Sequence, residues 1–234
     1  MITRAVLCPS PPLLARELTG RDPVVPGLRD ACGAAVARLL AARADVVVVV
    51  GAGGATATWD PDDRLDLSAY APAPGVATGK PGLPLALGLG ALLLDAAGYT
   101  GPRLLQAIGE SEPPEECLRL GASLAAATAT AGLLVIGDGS ARRSQAAPGH
   151  LDERAAPFDA EVERAIRDGD MAALAVADPV LASELMVTGR APWQVLAGAL
   201  PGAPGAPGTN PAAEILYADD PFGVAYLVAV LDPR

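Results

Sequence analysis

Five consecutive valines, Val46 to Val50, place the strongest single constraint on the fold of this chain. β-Branched side chains favour extended backbone, and the flanking residues Asp45 and Gly51 leave room for one short strand. A strand that is apolar on both faces has to be covered on both faces, which is typical of parallel sheets flanked by helices. The run therefore predicts a buried strand in an α/β fold.

The glycine-rich segment GAGG that follows the valines has two interpretations. A dinucleotide-binding loop requires the pattern G-x-G-x-x-G and a helix that begins directly behind it. Gly51 and Gly53 fit that pattern, but Thr56 stands at the third glycine position, and the acidic stretch WDPDDRLD follows where a helix is required. Acidic side chains would also repel a phosphate. We therefore expect a tight turn at the edge of a sheet rather than a phosphate site.

Further strands and helices alternate along the chain. The expected strands are ITRAVLC, RLLQAI and LLVIG, followed by the closely spaced pair AEILY and GVAYLVAVL, which should form an antiparallel hairpin. This order predicts a mostly parallel or mixed central sheet flanked by helices. The length of 234 residues fits one α/β domain, residues 1–234, with surface loops near 60–84 and 201–212. The expected helices cover residues 28–42, 85–97, 158–167 and 193–200, one from PPEE to about 131, and two short ones capped by Asp170 and Asp178.

Charge and cysteine content narrow the kinds of partner. The formal net charge is −10, so we expect no nucleic-acid and no membrane-surface binding, both of which rely on clustered positive charge. The longest apolar stretch, Leu83 to Leu94, is too short to span a bilayer, and the first residues lack the pattern of a secretory signal. Three widely spaced cysteines without a CxxC pair predict reduced thiols in a cytoplasmic protein. A small molecule, another protein or a second copy of the chain is left as the partner.

Three segments follow predicted strands and should meet at one edge of the sheet. CPSPP follows the first strand, GAGG follows the valines, and GDGSARR follows LLVIG. Ligands of open α/β sheets bind outside the carboxyl ends of the strands, so we expect a pocket at this edge. The residues expected to line it are Cys8, Pro9, Gly51, Gly53, Gly54, Asp138, Ser140, Arg142, Arg143 and, farther along the chain, Glu184.

The same segments resemble the LigB-like family of class III extradiol ring-cleavage dioxygenases. The resemblance consists of CPSP, the valine strand with its small-residue loop, GDGSAR with the pattern G-x-x-S-x-R, the helix WQVLAGAL and the closing strand FGVAYLVAVL, in that order over most of the chain. It implies the α/β fold of that family. It also implies cleavage of catechol-type rings by dioxygen at a ferrous ion held by two histidines and a glutamate, with a further histidine as acid/base.

This chain departs from the family at each position that should carry the iron chemistry. The two ligand histidines, the acid/base histidine and the glutamate would fall at Pro9, at Gly53 or Gly54, at Ala141 and at Gly189. None of these side chains donates to a metal, and the chain has a single histidine, His150. We therefore expect no ferrous iron and no other cofactor, and a binding or interaction module built on the family's fold.

Two enzymatic alternatives and one structural alternative stay open. A displaced ligand set of His150, Glu184, Cys8 and Asp138 would restore a metal site for ring cleavage or another oxidoreductase reaction. Ser140, His150 and either Asp138 or Asp152 would form a hydrolytic triad, although the G-x-S-x-G elbow is missing. A non-catalytic subunit that completes a partner's site would instead leave an apolar patch exposed.

The remaining charged residues also have two interpretations each. Arg142 and Arg143 suit the carboxylate or phenolate of a small aromatic ligand, because guanidinium forks match planar anions. The alternative is that they pair with nearby acids such as Asp152 or Glu153. The pairs Asp62–Asp63 and Asp219–Asp220 suit either a hard cation or ordinary solvated loops.

Overall fold

The computed structural model describes residues 1–19, 24–67, 70, 82–127, 129–202 and 209–233, and within these ranges seven strands form one sheet. The sheet order is β3–β4–β2–β5–β1–β7–β6. The four central strands β4, β2, β5 and β1 are parallel, whereas β3 and the β6–β7 hairpin are antiparallel additions at the two edges. The predicted α/β fold with a mixed sheet is therefore confirmed. The strands are β1 (Ile2–Cys8), β2 (Val46–Gly53), β3 (Ala57–Trp59), β4 (Arg103–Gly109), β5 (Ala131–Ile136), β6 (Ala212–Asp219) and β7 (Tyr226–Asp232).

Helices cover both faces of the sheet, as the valine run predicts. Val48 and Val50 belong to the core cluster that includes residues of α4, α5, α6 and α8, and Val47 and Val49 belong to the cluster that includes residues of α2 and α3. No helix in the described ranges is long and apolar enough to cross a membrane. The helices are α1 (Arg16–Thr19), α2 (Pro26–Ala41), α3 (Leu85–Ala96), α4 (Pro114–Ala127), α5 (Ala155–Asp168), α6 (Met171–Ala175), α7 (Pro179–Glu184) and α8 (Arg190–Ala199), with a 3-10 turn at Pro12–Leu14 before α1.

The GAGG segment differs from the sequence prediction. Strand β2 continues through Gly53, so three residues of the segment belong to the strand and not to a turn. A Cβ atom at Gly51 would lie 2.6 Å from the Cβ atom of Ala86, which shows that the glycine lets α3 approach the sheet closely. The next element is strand β3, which pairs antiparallel with β4, and not a helix. The dinucleotide interpretation is therefore wrong, because there is no helix N-terminus behind the loop to receive a phosphate.

Most other predicted elements occur with shifted ends. The helix expected to reach residue 131 ends at Ala127, because β5 begins at Ala131 and pairs with β1 and β2. The two predicted caps are confirmed: Asp170 accepts a hydrogen bond from the backbone N–H of Ala173 at 2.9 Å, and Asp178 accepts one from Val180 at 2.8 Å. Of the two predicted loops, residues 68–69, 71–81 and 203–208 lie outside the described residues.

Helices α4 and α8 pack against each other at the distance of backbone contact. A Cβ atom at Gly121 would overlap the carbonyl oxygen of Val195, and one at Gly198 would overlap the carbonyl oxygen of Leu118. Neither carbonyl can move without a shift of its whole helix. The two glycines therefore set the distance between α4 and α8, and with it the position of Trp193, which lies on α8.

Replacing Gly121 by alanine should lower the free energy of unfolding by about 2–3 kcal/mol, because α4 and α8 would have to separate. Gly33 provides a matched control, since it lies within a helix and a Cβ atom there would have no neighbour within 4 Å. Gly33→Ala should raise the free energy of unfolding by about 0.5–1 kcal/mol through the smaller entropy of the unfolded chain. Urea unfolding of the two variants measures the difference, and equal effects would contradict this description of the helix contact.

Candidate functional site

The segments after β1 and β5 meet at the carboxyl edge of the sheet, as the sequence predicts. The backbone N–H of Gly137 donates to the carbonyl oxygen of Cys8 at 3.1 Å. The carboxylate of Asp138 accepts hydrogen bonds from the backbone N–H of Ser10 at 2.6 Å and from its hydroxyl at 3.0 Å. The turn CPSP and the segment GDGS are therefore joined through one carboxylate.

Asp138 also holds the loop before α8. Its backbone N–H donates to the hydroxyl of Thr188 at 3.0 Å, and its carbonyl oxygen accepts from the N–H of Gly189 at 2.9 Å. Burial raises the pKa of the Asp138 carboxyl to about 6, against the lowering effect of the two hydrogen bonds from Ser10. Burial and the Asp138 carboxyl also raise the pKa of Tyr226. Asp138 is thus a largely desolvated acid that joins three segments.

Ser140 belongs to a second hydrogen-bond network. Its hydroxyl donates to Asp159 Oδ2 at 2.5 Å and its backbone N–H donates to Asp159 Oδ1 at 2.9 Å. The Arg143 guanidinium donates to Asp220 at 2.7 Å and lies 3.9 Å from Asp159. Burial raises the pKa of Asp159, although Ser140 and Arg143 favour its charged form. This network connects the sheet edge with α5 and with the turn of the β6–β7 hairpin.

One concavity borders the GDGS segment at Gly139, and a second lies beside α7 and the loop before α8. The first has a volume of about 470 Å³ and lies between α5, α8 and the β6–β7 hairpin. It is lined by Gly139, Arg143, Ala156, Asp159, Ala160, Val162, Glu163, Trp193, Ala218, Asp219, Asp220, Ala225, Tyr226 and Leu227. The second has a volume of about 680 Å³ and is lined by Glu110, Ser111, Thr188, Arg190 and residues of α7 and the loop behind it.

Three of the six described polar side chains that line the second concavity are engaged within the protein, and the other three, Glu110, Ser111 and Ser183, are exposed to solvent. Arg190 is buried and donates to the carbonyl oxygens of Glu110 and Glu112 and to Gln194. Glu184 accepts a hydrogen bond from Arg154 at 2.6 Å, and the Thr188 hydroxyl accepts from Asp138. These groups are engaged within the protein. The first concavity is therefore the better candidate for a binding site.

The first concavity contains a buried donor without a protein acceptor. Trp193 is 2% exposed, and in the described part of the chain its indole Nε1–H makes no hydrogen bond, yet the nitrogen is not fully enclosed by protein atoms. An indole nitrogen can only donate. Because no protein group within the described ranges accepts this hydrogen bond, the N–H is available to a ligand in the concavity.

The structure does not assemble the proposed hydrolytic triad. Ser140 is bonded to Asp159 and not to His150, and Asp138 is bonded to Ser10. The side chain of His150 is exposed, and its Nδ1 lies 3.3 Å from the carbonyl oxygen of Gln145. Ser140 and His150 are close in sequence, but the intervening turns direct their side chains to different partners.

The displaced metal-ligand set is not assembled either. Cys8 is 1% exposed in the core next to Cys32, Glu184 pairs with Arg154, and neither Cys8 nor His150 lines either concavity. Across the described ranges, no group of three or more His, Cys, Asp and Glu side chains is placed to hold a metal ion. Asp220 of the Asp219–Asp220 pair is engaged with Arg143 rather than poised for a hard cation.

The positions that the family resemblance assigns to iron do not fit the metal. Pro9, Gly53, Gly54 and Ala141 carry no donor atom. At the glutamate position, a Cβ atom on Gly189 would overlap the ring of Trp193, and one on Gly137 would overlap the Cα atom of Gly189. The space for a ligand side chain is thus filled by backbone and by the indole, so these residues support no reaction step through iron.

The two arginines have different surroundings. Arg143 pairs with Asp220 and Asp159, so the expected pairing with Asp152 or Glu153 is wrong for this residue. The guanidinium of Arg143 is also occupied by these carboxylates, which disfavours an anionic ligand there.

Arg154 lowers the pKa of Asp152 to about 2 through hydrogen bonds, and the Arg142 guanidinium adds a smaller effect in the same direction. The buried Nε–H of Arg142 has no hydrogen-bond partner.

Several residues of the site are not identified by the sequence patterns. Those patterns mark Asp159 only as a residue near a helix start, and Trp193 only as part of a family helix. The adjacent acids Asp219 and Asp220 are visible in the sequence, but acids are common next to turns. Nothing in the sequence shows that these two lie beside α5. The contacts of Ser10 and Thr188 with Asp138 join residues more than 40 positions apart.

The raised pKa of Asp138 predicts a specific pH dependence of stability. The pKa of Asp138 is near 4 in the unfolded chain and about 6 in the folded protein, so between these pH values the folded protein binds more protons. The contribution of Asp138 to the free energy of unfolding is therefore complete below pH 4 and is lost as the pH rises through 6. The free energy of unfolding of Asp138→Asn relative to that of the wild type should therefore rise by about 1–2 kcal/mol between pH 4 and pH 7.

Urea unfolding at several pH values tests this expectation. The exposed acid Asp62 supplies a matched control, since Asp62→Asn should show the same difference from the wild type at every pH. A pH-independent difference for Asp138→Asn would show that folding does not raise the pKa of this carboxyl, and a difference of opposite sign would show that the fold stabilises the charged carboxylate.

The chain matches no protein-family model and no curated protein. Among solved structures it is similar to that of an uncharacterized protein, JW3007 from Escherichia coli K12, with a TM-score of 0.58 and 14% sequence identity. The match covers 98% of this chain and 99% of the other. At this level of identity the similarity shows a shared fold over nearly the whole chain, and fold alone does not determine function.

Proposed function

We propose that this protein is a small-molecule-binding module, built on a fold of the extradiol dioxygenase type, that does not use the iron chemistry of that family. The observation that carries the proposal is the first concavity, with its buried indole donor. The volume of about 470 Å³ falls in the range of ordinary ligand pockets. The ligand is expected to accept a hydrogen bond from Trp193.

The lining of this concavity supports ligand binding rather than simple packing. It combines apolar surface from Val162, Leu227 and the indole of Trp193 with a small number of charged groups. Some of the charged groups are oriented by hydrogen bonds and ion pairs within the protein, as Asp159 is by Ser140 and Arg143. A mostly apolar pocket with a few oriented polar groups is the usual composition of a small-molecule site.

The absence of donor side chains at the four iron-chemistry positions argues against ring cleavage. Ring cleavage in the resembled family needs two imidazoles and a carboxylate on one face of the metal. In this chain those positions hold proline, glycine and alanine, and Gly137 and Gly189 are in contact where the carboxylate should enter. The proposed role is therefore binding, with any chemistry left to a partner.

The test of ligand binding uses three small aromatic probes that differ in charge: 4-methoxybenzylammonium, 4-methoxybenzyl alcohol and 4-methoxybenzoate. At least one of them should bind with a Kd on the order of 1–10 mM, as ligands of this size allow. Ala160→Phe, at the exposed rim of the concavity, should weaken that binding at least about 5-fold by filling the entrance. Ligand-observed NMR gives the affinities.

Ala172→Phe is the matched control, because Ala172 is an exposed helical residue outside the lining of the concavity. It should leave the affinities unchanged. Binding of no probe, or an equal loss of affinity in both variants, would contradict the proposed site.

A second measurement tests the loss of iron chemistry. Protein purified anaerobically and supplied with ferrous iron should retain far less than one iron per chain after desalting, measured by plasma mass spectrometry. It should also fail to cleave catechol or protocatechuate in air. Near-stoichiometric iron together with ring cleavage would overturn the proposed function.

A further inference from the structure

Acidic side chains outnumber basic ones in the first concavity. Four carboxylates and one guanidinium line it. The guanidinium of Arg143 is paired with Asp220 and lies near Asp159, so its charge is already compensated. Glu163 pairs with Arg167, which is outside the lining. The concavity therefore presents an excess of negative charge to any ligand.

Asp219 is the acid with the greatest freedom to contact a ligand. It is exposed at the end of β6 and makes no ion pair in the part of the chain that the structure describes. Its carboxylate accepts hydrogen bonds from the N–H of Asp220 at 2.9 Å and from the hydroxyl of Tyr217 at 3.5 Å. The carboxylate of Asp219 at the rim therefore has no cationic partner within the described ranges, and a ligand can supply that cation.

Trp193 provides an independent sign that a ligand occupies this space. The side chain is 2% exposed, lines the concavity and has an indole N–H without an acceptor in the described ranges. The nitrogen is not fully enclosed by protein atoms, so its N–H is open to an acceptor from outside the chain. A molecule bound in the concavity can supply that acceptor. The indole face would also favour a cation placed nearby.

We propose, on the basis of the proposed function, that the ligand is a small organic ammonium ion that also carries a hydrogen-bond acceptor. Its ammonium group lies at the carboxylates of Asp159, Asp219 and Asp220, and its acceptor receives the hydrogen bond from Trp193. A charge-assisted hydrogen bond from an ammonium to a carboxylate is about twice as strong as a neutral one. This assignment replaces the carboxylate or phenolate ligand expected from Arg142 and Arg143.

The three 4-methoxybenzyl probes test the ligand class, since they share a ring and a methoxy acceptor and differ in charge. The ammonium probe should bind at least about 10-fold more tightly than the benzoate, with the alcohol between them. Asp219→Asn should weaken the ammonium probe about 3-fold and leave the alcohol unchanged. Glu214→Gln, which removes one acid from the same strand outside the concavity, should change neither.

Trp193→Phe tests the indole donor separately. It removes the N–H and keeps an aromatic ring, so all three probes should weaken by a similar factor of about 3 to 10, in contrast with the charge-selective effect of Asp219→Asn. Circular dichroism and urea unfolding establish that the variant is folded. Asp219 is exposed, so its variant supplies a test that does not depend on the core.

The outcomes separate the two levels of the inference. If the benzoate or the alcohol binds as tightly as the ammonium probe and Ala160→Phe still blocks it, the binding function stands and the ammonium assignment is wrong. If no probe binds, the proposed function and the ammonium assignment are both contradicted. Tight binding of the ammonium probe with an unchanged affinity in Asp219→Asn would place the cation elsewhere and overturn the assignment.

Discussion

The segment from Gly137 to Ala141 is the junction through which the other parts of the structure are held together. Its backbone bonds to β1 through Cys8, to the hairpin through Ala225 and to the end of α7 through Leu185. The backbone of Asp138 also bonds to Thr188 and Gly189 before α8. Two side chains reach further partners, because the carboxylate of Asp138 binds Ser10 and the hydroxyl of Ser140 binds Asp159 of α5. Strand β5 is buried on both faces and carries apolar side chains, so polar side chains can follow only where the strand ends. The hydrogen bonds that orient the surrounding helices are therefore concentrated at the carboxyl edge of the sheet.

The same junction positions α8 and Trp193, because the carbonyl oxygen of Asp138 accepts a hydrogen bond from Gly189 at the start of that helix. Gly137 and Gly189 approach so closely that a side chain on either would overlap the other segment or the indole of Trp193. This contact fills the position that the family resemblance assigns to a metal ligand. The indole that closes this place also lines the first concavity, where its N–H has no acceptor in the described ranges. The position of α8 therefore determines both the close contact between Gly137 and Gly189 and the indole wall of the first concavity.

Sequence patterns predicted the parts of the fold that depend on local periodicity. The valine strand, the terminal hairpin and the caps at Asp170 and Asp178 follow from side-chain spacing, and the structure contains them. Strand β3 was missed because three residues of mixed polarity give no period, and its pairing with β4 is a tertiary effect. The prediction of a turn at Gly51 was wrong, because glycine is also required where a helix packs closely on a strand, as α3 does here. The acid excess around Asp159 and Asp219 could not be predicted, since it arises from elements far apart in sequence.

The most direct test of this account is the ¹H–¹⁵N spectrum of the two tryptophan indoles during titration with 4-methoxybenzylammonium. The chain has only Trp59 and Trp193, so the side-chain region contains two resonances, and Trp193→Phe assigns them. Trp59 is an internal reference, because its indole nitrogen is enclosed by protein and lies outside the concavity. The account predicts a saturable shift of the Trp193 resonance with no change at Trp59. A stationary Trp193 resonance at saturating probe would contradict it.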